Sequence, residues 1–411
     1  MPGDGALTAP LRHRDFRLLT TGRTFAEFGN AVAPVALAFA VLDLTGSAVQ
    51  LGLVVGARSL ANVVLVLFGG VLADRLPRSV ILQGTETAAA VTQAAIAVSV
   101  LGGFASVPLL IGLSVANGAV SAVALPASSS ILPQTVPSAL LTQANALGRM
   151  LANMGRFGGA AAGGVLAAAL GSGWAIAANA VLFLVAAVAY RGLRLARFER
   201  TGPARPLADL AEGWREFRSR AWVWIVVLQF MIVNAVAAGG LLVLGPAIAD
   251  DTFGRAGWGF VLAAQTAGFV LGGLVVAHWR PRRLLAIGVA AVLVDALPLT
   301  MLARAPGLMT MIAAMVVAGA AIELFAVAWD VSLQENVPQD RLARVYAYDV
   351  LGSIIAMPVG EVIAGPLAEH FGRERTLLWG AVLVVVATLL ALCSKQVRGL
   401  RRLTPAPTPV S

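Results

Sequence analysis

The sequence predicts an all-α polytopic membrane protein with twelve transmembrane helices in two pseudo-symmetric bundles of six, and three observations support this prediction. The first is composition: of 411 residues, 58% are hydrophobic and only 12% are charged, whereas a soluble domain is about 25% charged. The second is a series of apolar runs, each near the ~20 residues that a helix needs to cross the hydrocarbon core of a bilayer. The third is an internal repeat that relates the two halves of the chain.

The apolar runs set the bounds of the predicted spans. They cover Gly22–Leu44, Val49–Ala73, Val80–Gly103, Val107–Leu132, Leu141–Leu170, Trp174–Tyr190, Trp222–Ala249, Gly257–His278, Leu284–Ala303, Leu308–Val331, Leu342–His370 and Thr376–Ser394. Most connections are short, but 191–221 is long, rich in arginine and interrupted by "TGPARP". We interpret 191–221 as a cytoplasmic linker between two six-helix bundles. The first bundle, with its cytoplasmic N-terminal tail, covers 1–190; the second covers 222–394 and is followed by a cytoplasmic tail, 395–411. Within the linker, "LADLAEGWREFRSR" has the helical apolar spacing of a short helix at the membrane surface.

The internal repeat appears in two stretches. "LPQTVPSALLTQANAL" from Leu132 aligns with "LQENVPQDRLARVYAY" from Leu333, at an offset of 201 residues. "GGVLADRLPRS" aligns with "GLVVAHWRPRR" at an offset of 204. Two matches in the same order indicate parallel six-span halves around an axis normal to the membrane, with a substrate site between them near the midplane. At the offset of 201, Glu361 is equivalent to Ala160.

The basic residues fall mainly on one side of the predicted membrane. Of the 30 lysine and arginine residues, 22 lie on the side of the N-terminus, four on the opposite side and four within spans. The positive-inside rule therefore predicts that both termini are cytoplasmic. The net charge of +9 follows from this topology, so we expect no nucleic acid partner.

Few residues suit catalysis. The chain has three histidines and a single cysteine, Cys393, which allows neither an intramolecular disulfide nor a multi-cysteine metal site. With no catalytic triad and no metal-binding spacing, we expect neither enzyme activity nor a bound metal. The first residues lack an apolar stretch followed by a cleavage site, so we expect them to be retained as a cytosolic tail.

A glycine-rich run that contains one arginine, "GRFGGAAAGG", lies in the fifth predicted span. A phosphate-binding loop would need a glycine-rich turn after a strand, together with a lysine and a serine or threonine, and the run has neither. Gly155, Gly159 and Gly163 instead have the small-xxx-small spacing that lets two membrane helices approach closely. We therefore interpret the run, which ends at Gly164, as a helix-packing seam.

The turn after the second span, "GGVLADRLPRSVIL", resembles the signature of the major facilitator superfamily at Gly70, Asp74, Arg75 and Arg78. In that family the cluster latches the two halves together, so the resemblance assigns these residues to a cytoplasmic gate; a basic loop that only follows the topology is the alternative. The glycines of the fifth span are similarly spaced to the antiporter motif of the family, with Ala160 where proline is usual. Generic helix packing is the alternative there.

Over nearly the whole chain, stretches such as "FRLLTTGRTFAEFGNAVAPVALAFAVLDLTGSA" and "VPQDRLARVYAYDVLGS" resemble the twelve-span efflux branch of this superfamily, which includes macrolide and enterobactin exporters. The resemblance implies a monomeric bacterial inner-membrane exporter of small amphiphilic compounds, such as drugs, antibiotics or natural products. It also implies alternating access, proton antiport driven by the proton gradient, and no cofactor. The alternatives are export of a siderophore or lipid-like metabolite, uncoupled facilitation, and a non-transporting scaffold or receptor.

Charged residues inside the spans are the candidate functional residues, because each costs at least about 2.5 kcal/mol at the bilayer centre unless it has a partner or faces water. In this superfamily spans one, four, seven and ten line the cavity and spans two, five, eight and eleven form its sides. The resemblance therefore favours Glu27, Glu323, Asp349 and Glu361 as proton-coupling or substrate residues, together with Asn30. Glu323, near the middle of span ten, is the preferred proton carrier, because a proton and a cationic substrate can compete for one carboxylate.

Structural interpretations of these residues remain open. Glu27 can pair with Arg23 one turn away, Glu323 can hydrogen-bond to a neighbouring helix, and Asp349 can pair with a nearby arginine. Arg156 matches a basic position before the glycine seam in this branch, and it can hold a carboxylate in one conformational state or permanently. We assign structural roles to the acids of spans three and nine, Glu86 and Asp295.

Two further features concern substrate and coupling. Large aromatic and methionine side chains suit an adaptable apolar pocket; the candidates are Phe28, Phe230, Met231, Phe325 and Trp329. Many proton-coupled members carry an arginine in span four, within a pattern that here reads Ser114, Asn117 and Gly118. Transport is therefore predicted more firmly than its coupling to protons.

Overall fold

The computed structural model describes residues 8–73, 77–128, 131–193, 214–279, 281–304 and 307–400. In these ranges the chain is helical and has no strand, and we number its long helical elements α1 to α12. The first six are α1 (Arg14–Thr45), α2 (Ala48–Ala73), α3 (Arg78–Leu101), α4 (Val107–Ser128), α5 (Leu141–Ala169) and α6 (Ser172–Arg191). The second six are α7 (Ala221–Asp251), α8 (Gly254–His278), α9 (Leu284–Ala303), α10 (Leu308–Asn336), α11 (Gln339–Ile354 and Met357–Phe371) and α12 (Arg373–Cys393).

The helices are long and apolar enough to make this a multi-pass membrane protein. Nine helices of the described chain can cross a membrane by length and composition: α1, α2 and α6 to α12. The helix α4 is apolar over the shorter range Val107–Val123, and α3 and α5 have several polar residues. Nine spans are therefore supported, and the count of twelve stays a prediction.

The helices form two halves, α1 to α6 and α7 to α12. In the first half α1 packs against α5 and α6, α2 against α4, and α3 against α6; in the second, α7 packs against α11 and α12, α8 against α10, and α9 against α12. The halves meet where α5 contacts α8 and where α2 contacts α11. Because adding six to each helix number exchanges these pairs, the packing has the pseudo-twofold symmetry that the sequence repeat predicts.

Several helices depart from regular α-helix. Pro34 lies inside α1, a π-helical stretch occupies Ala238–Leu244 of α7, and a 3₁₀ turn occupies Val292–Asp295 of α9. The eleventh predicted span corresponds to the candidate span Arg344–Phe371, and its helix is interrupted between Ile354 and Met357. Pro358 begins the second segment, and proline has no N–H with which to continue a helix from the preceding turn.

The contact between α2 and α11 lies towards one side of the membrane. We call the side near residues 8–13 and 395–400 the terminal side, and the opposite side the distal side. The segment Met357–Phe371 of α11, which lies towards the distal side, packs against α2, whereas Gln339–Ile354 packs mainly against α7. The contact between α2 and α11 therefore belongs to the distal half of the membrane.

Part of the predicted linker docks on α11. Residues 214–219 form a short helix, in which the rings of Trp214 and Phe217 lie 5.6 and 5.9 Å from the ring of Tyr348. Glu216 accepts hydrogen bonds from Arg220 and, at 2.7 Å, from Arg341. The rest of the predicted surface helix lies outside the described residues.

Most of the predicted cytoplasmic gate also lies outside the described residues. Asp74 and Arg75 fall in 74–76, and the side chain of Arg78 is not described either. Gly70 belongs to the last turns of α2. The assignment of these four residues to a gate stays a prediction.

Candidate functional site

A cavity of about 490 Å³ lies among α1, α2, α3, α4 and α6 and is closed on one side by α11. Its lining contains both polar and apolar side chains. The first half supplies all of its charged and hydrogen-bonding side chains in the described chain, namely Arg23, Glu27, Asn30, Arg58, Ser59, Asn62, Thr85, Glu86, Asn117, Ser121 and Tyr190. The wall from α11 consists of the apolar side chains of Val350, Ile354 and Met357. The first half also supplies apolar side chains, so the cavity is amphiphilic, with polar groups from one half and apolar groups from both; those of the first half are Ala26, Val63, Leu82, Ala89, Val120 and Phe183.

Glu27 and Arg156 form a two-point ion pair at the edge of this cavity. Arg156 Nε donates to Glu27 Oε2 at 2.7 Å, and Arg156 Nη2 donates to Glu27 Oε1 at 3.0 Å. This fork geometry is stronger than a single charged hydrogen bond. The pair joins α1 to α5 across 129 residues of sequence, so Glu27 binds Arg156 rather than Arg23, the local partner that spacing suggested.

The glycines of the predicted seam bring α5 close enough to α1 for this pair to form. A Cβ atom added to Gly155 would lie 2.6 Å from the carbonyl oxygen of Thr24, and one added to Gly159 would lie 2.3 Å from that of Phe28. One added to Gly163 would lie 3.2 Å from the Cα of Val32. A methyl group has no room at the first two positions, so the backbones themselves are in contact there.

The same run contacts the other half of the protein. A Cβ on Gly164 would lie 2.5 Å from the carbonyl oxygen of Arg255 in α8. The repeat equivalents behave alike: a Cβ on Gly360 would lie 1.9 Å from the carbonyl oxygen of Ala235 in α7, and one on Gly365 would lie 2.6 Å from the Cα of Val49 in α2. Each half therefore uses one glycine within the half and another across the interface.

Glu361 lies at the contact between α2 and α11. It has 0% exposure, its Oε1 accepts a hydrogen bond of 3.0 Å from Ser59, and its Oε2 has no partner in the described chain. The neighbouring Arg58 donates from Nε to Asn117 of α4 at 3.0 Å and acts electrostatically on Glu361. A buried carboxyl thus connects the two halves beside a cationic side chain.

Arg58 of α2 supplies a basic group next to span four, where the sequence lacks the arginine that many proton-coupled members carry. Where many family members have an arginine, α4 has Ser114, and the residue three positions later, Asn117, receives the guanidinium of Arg58 from α2. Asn117 also donates to Thr92 of α3 at 3.1 Å. A basic group therefore lies beside α4, although the sequence of α4 supplies none.

Three of the four predicted acids are not among the described residues that line the cavity: Glu361, at the contact between α2 and α11, and also Glu323 and Asp349. Glu323 lies against α8, where a Cβ added to Gly272 would be 2.9 Å from the Cβ of Glu323. Asp349 accepts a hydrogen bond of 2.8 Å from the indole N–H of Trp329 and one of 3.4 Å from Ser353. The described contacts of Asp349 are therefore with an indole and a hydroxyl, not with the arginines that the sequence suggested.

None of the five predicted pocket residues is among the described residues that line the polar cavity. Phe325 stacks on Phe230 at 4.1 Å and on Trp329 at 6.1 Å between ring centroids, inside the second half. Phe28 packs against Gly158 of α5. Met231 lines a separate apolar cleft of about 360 Å³ between α7, α11 and α12.

Sequence reasoning missed an ion cluster on the distal side. Arg255, at the start of α8, binds Asp43 of α1 and Asp250 of α7, and Ser172 of α6 donates to Asp43 at 2.7 Å. The guanidinium of Arg255 also lies 5.0 Å from the centre of the Phe39 ring. Repeat alignment could have found the cluster, because Asp43 and Asp250 occupy corresponding places near the ends of α1 and α7.

Two symmetry-related helical halves around a polar cavity define this protein as a membrane transporter. Comparison with known proteins gives the family. The model of the transmembrane secretion effector family matches residues 5–403, and the chain therefore belongs to this family of the major facilitator superfamily. Its members are transporters rather than enzymes, and transporters of this superfamily work without a bound cofactor.

Known relatives agree with this assignment. The chain is 29% identical to the multidrug efflux pump Tap of Mycolicibacterium fortuitum, over 94% of this chain and 95% of Tap. It is 26% identical to the uncharacterized MFS-type transporter YfiS of Bacillus subtilis, over 93% of this chain and 94% of YfiS.

Among solved structures, a bacterial homologue of the human lysosomal transporter Spinster, inward-facing and unoccupied, has a TM-score of 0.73 at 18% identity, covering 98% of this chain and 100% of that one. The nucleoside transporter NupG has a TM-score of 0.70 at 12% identity, covering 92% and 98%. These two similarities concern the fold alone.

Proposed function

We propose that this protein exports small amphiphilic organic compounds across the bacterial cytoplasmic (inner) membrane by alternating access. The observation that carries the proposal is the amphiphilic cavity, in which polar groups of the first half face Val350, Ile354 and Met357 of the second half. A molecule with a polar head and an apolar body satisfies both walls. The similarity to a multidrug efflux pump over 94% of the chain supports export as the direction.

The proposal includes a topology. The terminal side is cytoplasmic, because 22 of the 30 basic residues fall there. Residues 191–221 then form a cytoplasmic linker between the bundles 1–190 and 222–394, and 395–411 form a cytoplasmic tail. In this proposal the protein works as a monomer.

Proton antiport is the proposed source of energy. Glu361 supports this part, because its carboxyl is buried, one of its oxygens has no described partner, and it lies at an interface that must change in alternating access. Glu27, bound to Arg156 at the cavity edge, is the second candidate, and Glu323 is the third. Protonation of a carboxyl removes the charge that Arg58 or Arg156 attracts, so it weakens that contact.

Transport into proteoliposomes with an imposed pH gradient tests the proposal. Wild type, Glu361→Gln, Glu27→Gln and Glu323→Gln are compared over a panel of lipophilic drugs and siderophores, with Glu369→Gln on the exposed end of α11 as the control. We expect gradient-driven uptake by wild type and the control, and loss of gradient dependence in Glu361→Gln. Undiminished gradient-driven transport in all three variants would contradict the coupling residues, and no transport of any compound would favour a scaffold or receptor.

A further inference from the structure

Glu86 of α3 is a carboxylate in the cavity that the proposed transport cycle does not use. Its exposure is 8%, it lines the cavity, and its buried Oε2 has no hydrogen-bond partner in the described chain. A buried charged group without a partner is costly, since it has lost its water without gaining a replacement. A structural role was expected for Glu86, but no described residue forms a hydrogen bond with its buried Oε2.

The partners of the other charged side chains in the cavity show which charges lack a counter-charge. Four charged side chains line it: Arg23, Glu27, Arg58 and Glu86. Glu27 is bound at both oxygens by Arg156. Arg58 has Asn117 and the nearby charge of Glu361. The two remaining side chains, Arg23 and Glu86, carry opposite charges, and neither forms an ion pair or a side-chain hydrogen bond with any residue that the structure describes.

Arg23 and Glu86 lie at a similar depth. Arg23 is nine residues beyond the start of α1 and Glu86 is eight beyond the start of α3. At 1.5 Å per residue these positions are about 14 and 12 Å from the terminal ends of their helices. Both side chains also act electrostatically on the hydroxyl of Tyr190, which lines the same cavity. The two unbalanced charges therefore lie around one phenol group.

We propose that the cavity binds zwitterionic amphiphiles, with a cationic group of the ligand at Glu86, an anionic group of the same molecule at Arg23, and its apolar body against the α11 wall. The inference rests on the proposed export function and narrows its substrate class. A ligand with one charge would leave either Glu86 or Arg23 without a counter-charge, whereas a zwitterion satisfies both. Val350, Ile354 and Met357 then cover the apolar part of the molecule.

Three fluorescent probes with one fluorophore and similar tethers test this charge preference. Nε-dansyl-lysine is a zwitterion, dansyl cadaverine a cation and 6-(dansylamino)hexanoic acid an anion. Binding to the full-length protein in detergent is followed by dansyl emission. We expect wild type to bind the zwitterion about 10-fold more tightly than either of the other probes, the amount expected for one more charged hydrogen bond.

Substitution of each charge must change the preference in opposite directions. In Glu86→Gln we expect the affinity for the zwitterion to fall about 10-fold, so that the anion binds at least as tightly as the zwitterion. In Arg23→Gln we expect the same fall, so that the cation binds at least as tightly as the zwitterion. Glu369→Gln and Arg304→Gln, which remove exposed charges outside the cavity, are the matched controls and keep the wild-type order. If a glutamine variant does not fold, Glu86→Asp and Arg23→Lys take its place. Each keeps the charge but moves it, so we expect a smaller preference for the zwitterion, and an unchanged preference in both contradicts the inference.

Equal affinity of wild type for the three probes overturns the inference. A preference for the cation that Arg23→Gln does not alter overturns it in favour of a site for cations alone. Either result, obtained with a protein that still transports lipophilic dyes in proteoliposomes, leaves the export proposal intact. Absence of both probe binding and transport contradicts the export proposal itself.

Discussion

Arg255 of α8 holds the carboxylate of Asp43 of α1 through both terminal nitrogens, at 3.0 and 2.5 Å, and so joins the two halves on the distal side. It also binds Asp250 of α7 at 2.8 and 3.1 Å. Asp43 and Asp250 are 207 residues apart, the same separation as Phe28 and Ala235, which contact equivalent glycines. One arginine therefore binds an equivalent carboxylate from each half.

The first prediction is that Asp43→Asn shifts the protein away from the conformation with a closed distal side. The pair is partly exposed, at 22% and 39%, so its loss costs about 1 kcal/mol, which changes the population ratio about five-fold. Spin labels at Leu44→Cys and Thr252→Cys report the distance across the distal side. Cys393→Ser removes the single cysteine, which is exposed, and gives the background.

Asp250→Asn is the control for this measurement, because it leaves the bond between the halves in place. A distance distribution that changes equally in Asp43→Asn and Asp250→Asn would show that Arg255 does not link the halves through Asp43.

The second prediction concerns the glycine contacts. Gly159→Ala and Gly360→Ala each place a methyl group within 2.3 Å of a backbone oxygen, so α5 and α11 must move from their partners at a cost of about 1–3 kcal/mol. We expect lower thermal unfolding temperatures for both. Gly84→Ala in α3, where an added Cβ meets nothing within 4 Å, should leave the unfolding temperature unchanged or raise it. Equal behaviour of the three variants would contradict close backbone contact.

The third prediction concerns the hydrogen bond between Ser59 and Glu361. A double-mutant cycle of Ser59→Ala and Glu361→Ala, read from thermal unfolding, should give a coupling free energy of about 0.5–1.5 kcal/mol. The coupling free energy reports this hydrogen bond alone, because the independent effects of the two single substitutions cancel in the cycle. Additive effects of the two substitutions would show that the halves are not joined at this point.

The fourth prediction is that acid releases the linker helix from α11. Hydrogen bonds from Arg220 and then from Arg341 hold the pKa of the Glu216 carboxyl below its usual range. A lowered folded-state pKa means that the contact contributes stability above the ordinary glutamate pKa of about 4.3 and loses it as the pH falls through the lower folded-state value.

A nitroxide at the exposed position Arg218→Cys, in the Cys393→Ser background, measures this release. It should be immobile at neutral pH and become mobile only below about pH 4.3. In Glu216→Gln it should be mobile at every pH. A label that stays immobile in Glu216→Gln would show that Trp214 and Phe217 alone hold the helix.

The helical architecture could be predicted because its signals are local or repeated. Apolar runs locate membrane helices through their length, and the offset of 201 residues locates the symmetry. Pro358 shows the limit of this reasoning: the apolar run continues through it, so composition located the span but not the interruption of its helix.

The site could be predicted only in part, because its contacts join residues far apart in the chain. Sequence spacing offered Glu27 its neighbour Arg23, whereas packing of α5 on α1 brings Arg156, 129 residues away. Arg255 and Asp43 are separated by 212 residues, and no local pattern connects them. For the same reason Glu86 could not be recognised as unpartnered, since that depends on what five other helices fail to place beside it.

The interruptions of α1 and α7 have a mechanical consequence. Counted with the separation of 207 residues, Pro34 corresponds to Leu241, which lies inside the π-helical stretch Ala238–Leu244. Proline cannot bond the carbonyl of Asn30, and a π-helical turn replaces the regular bonding at the matching level. In each of these two helices the regular bonding is therefore interrupted, at a level where helices bend, on the terminal side of the carboxylate that Arg255 holds. We expect bending at these two levels to move the distal ends of α1 and α7 relative to the rest of the same helices.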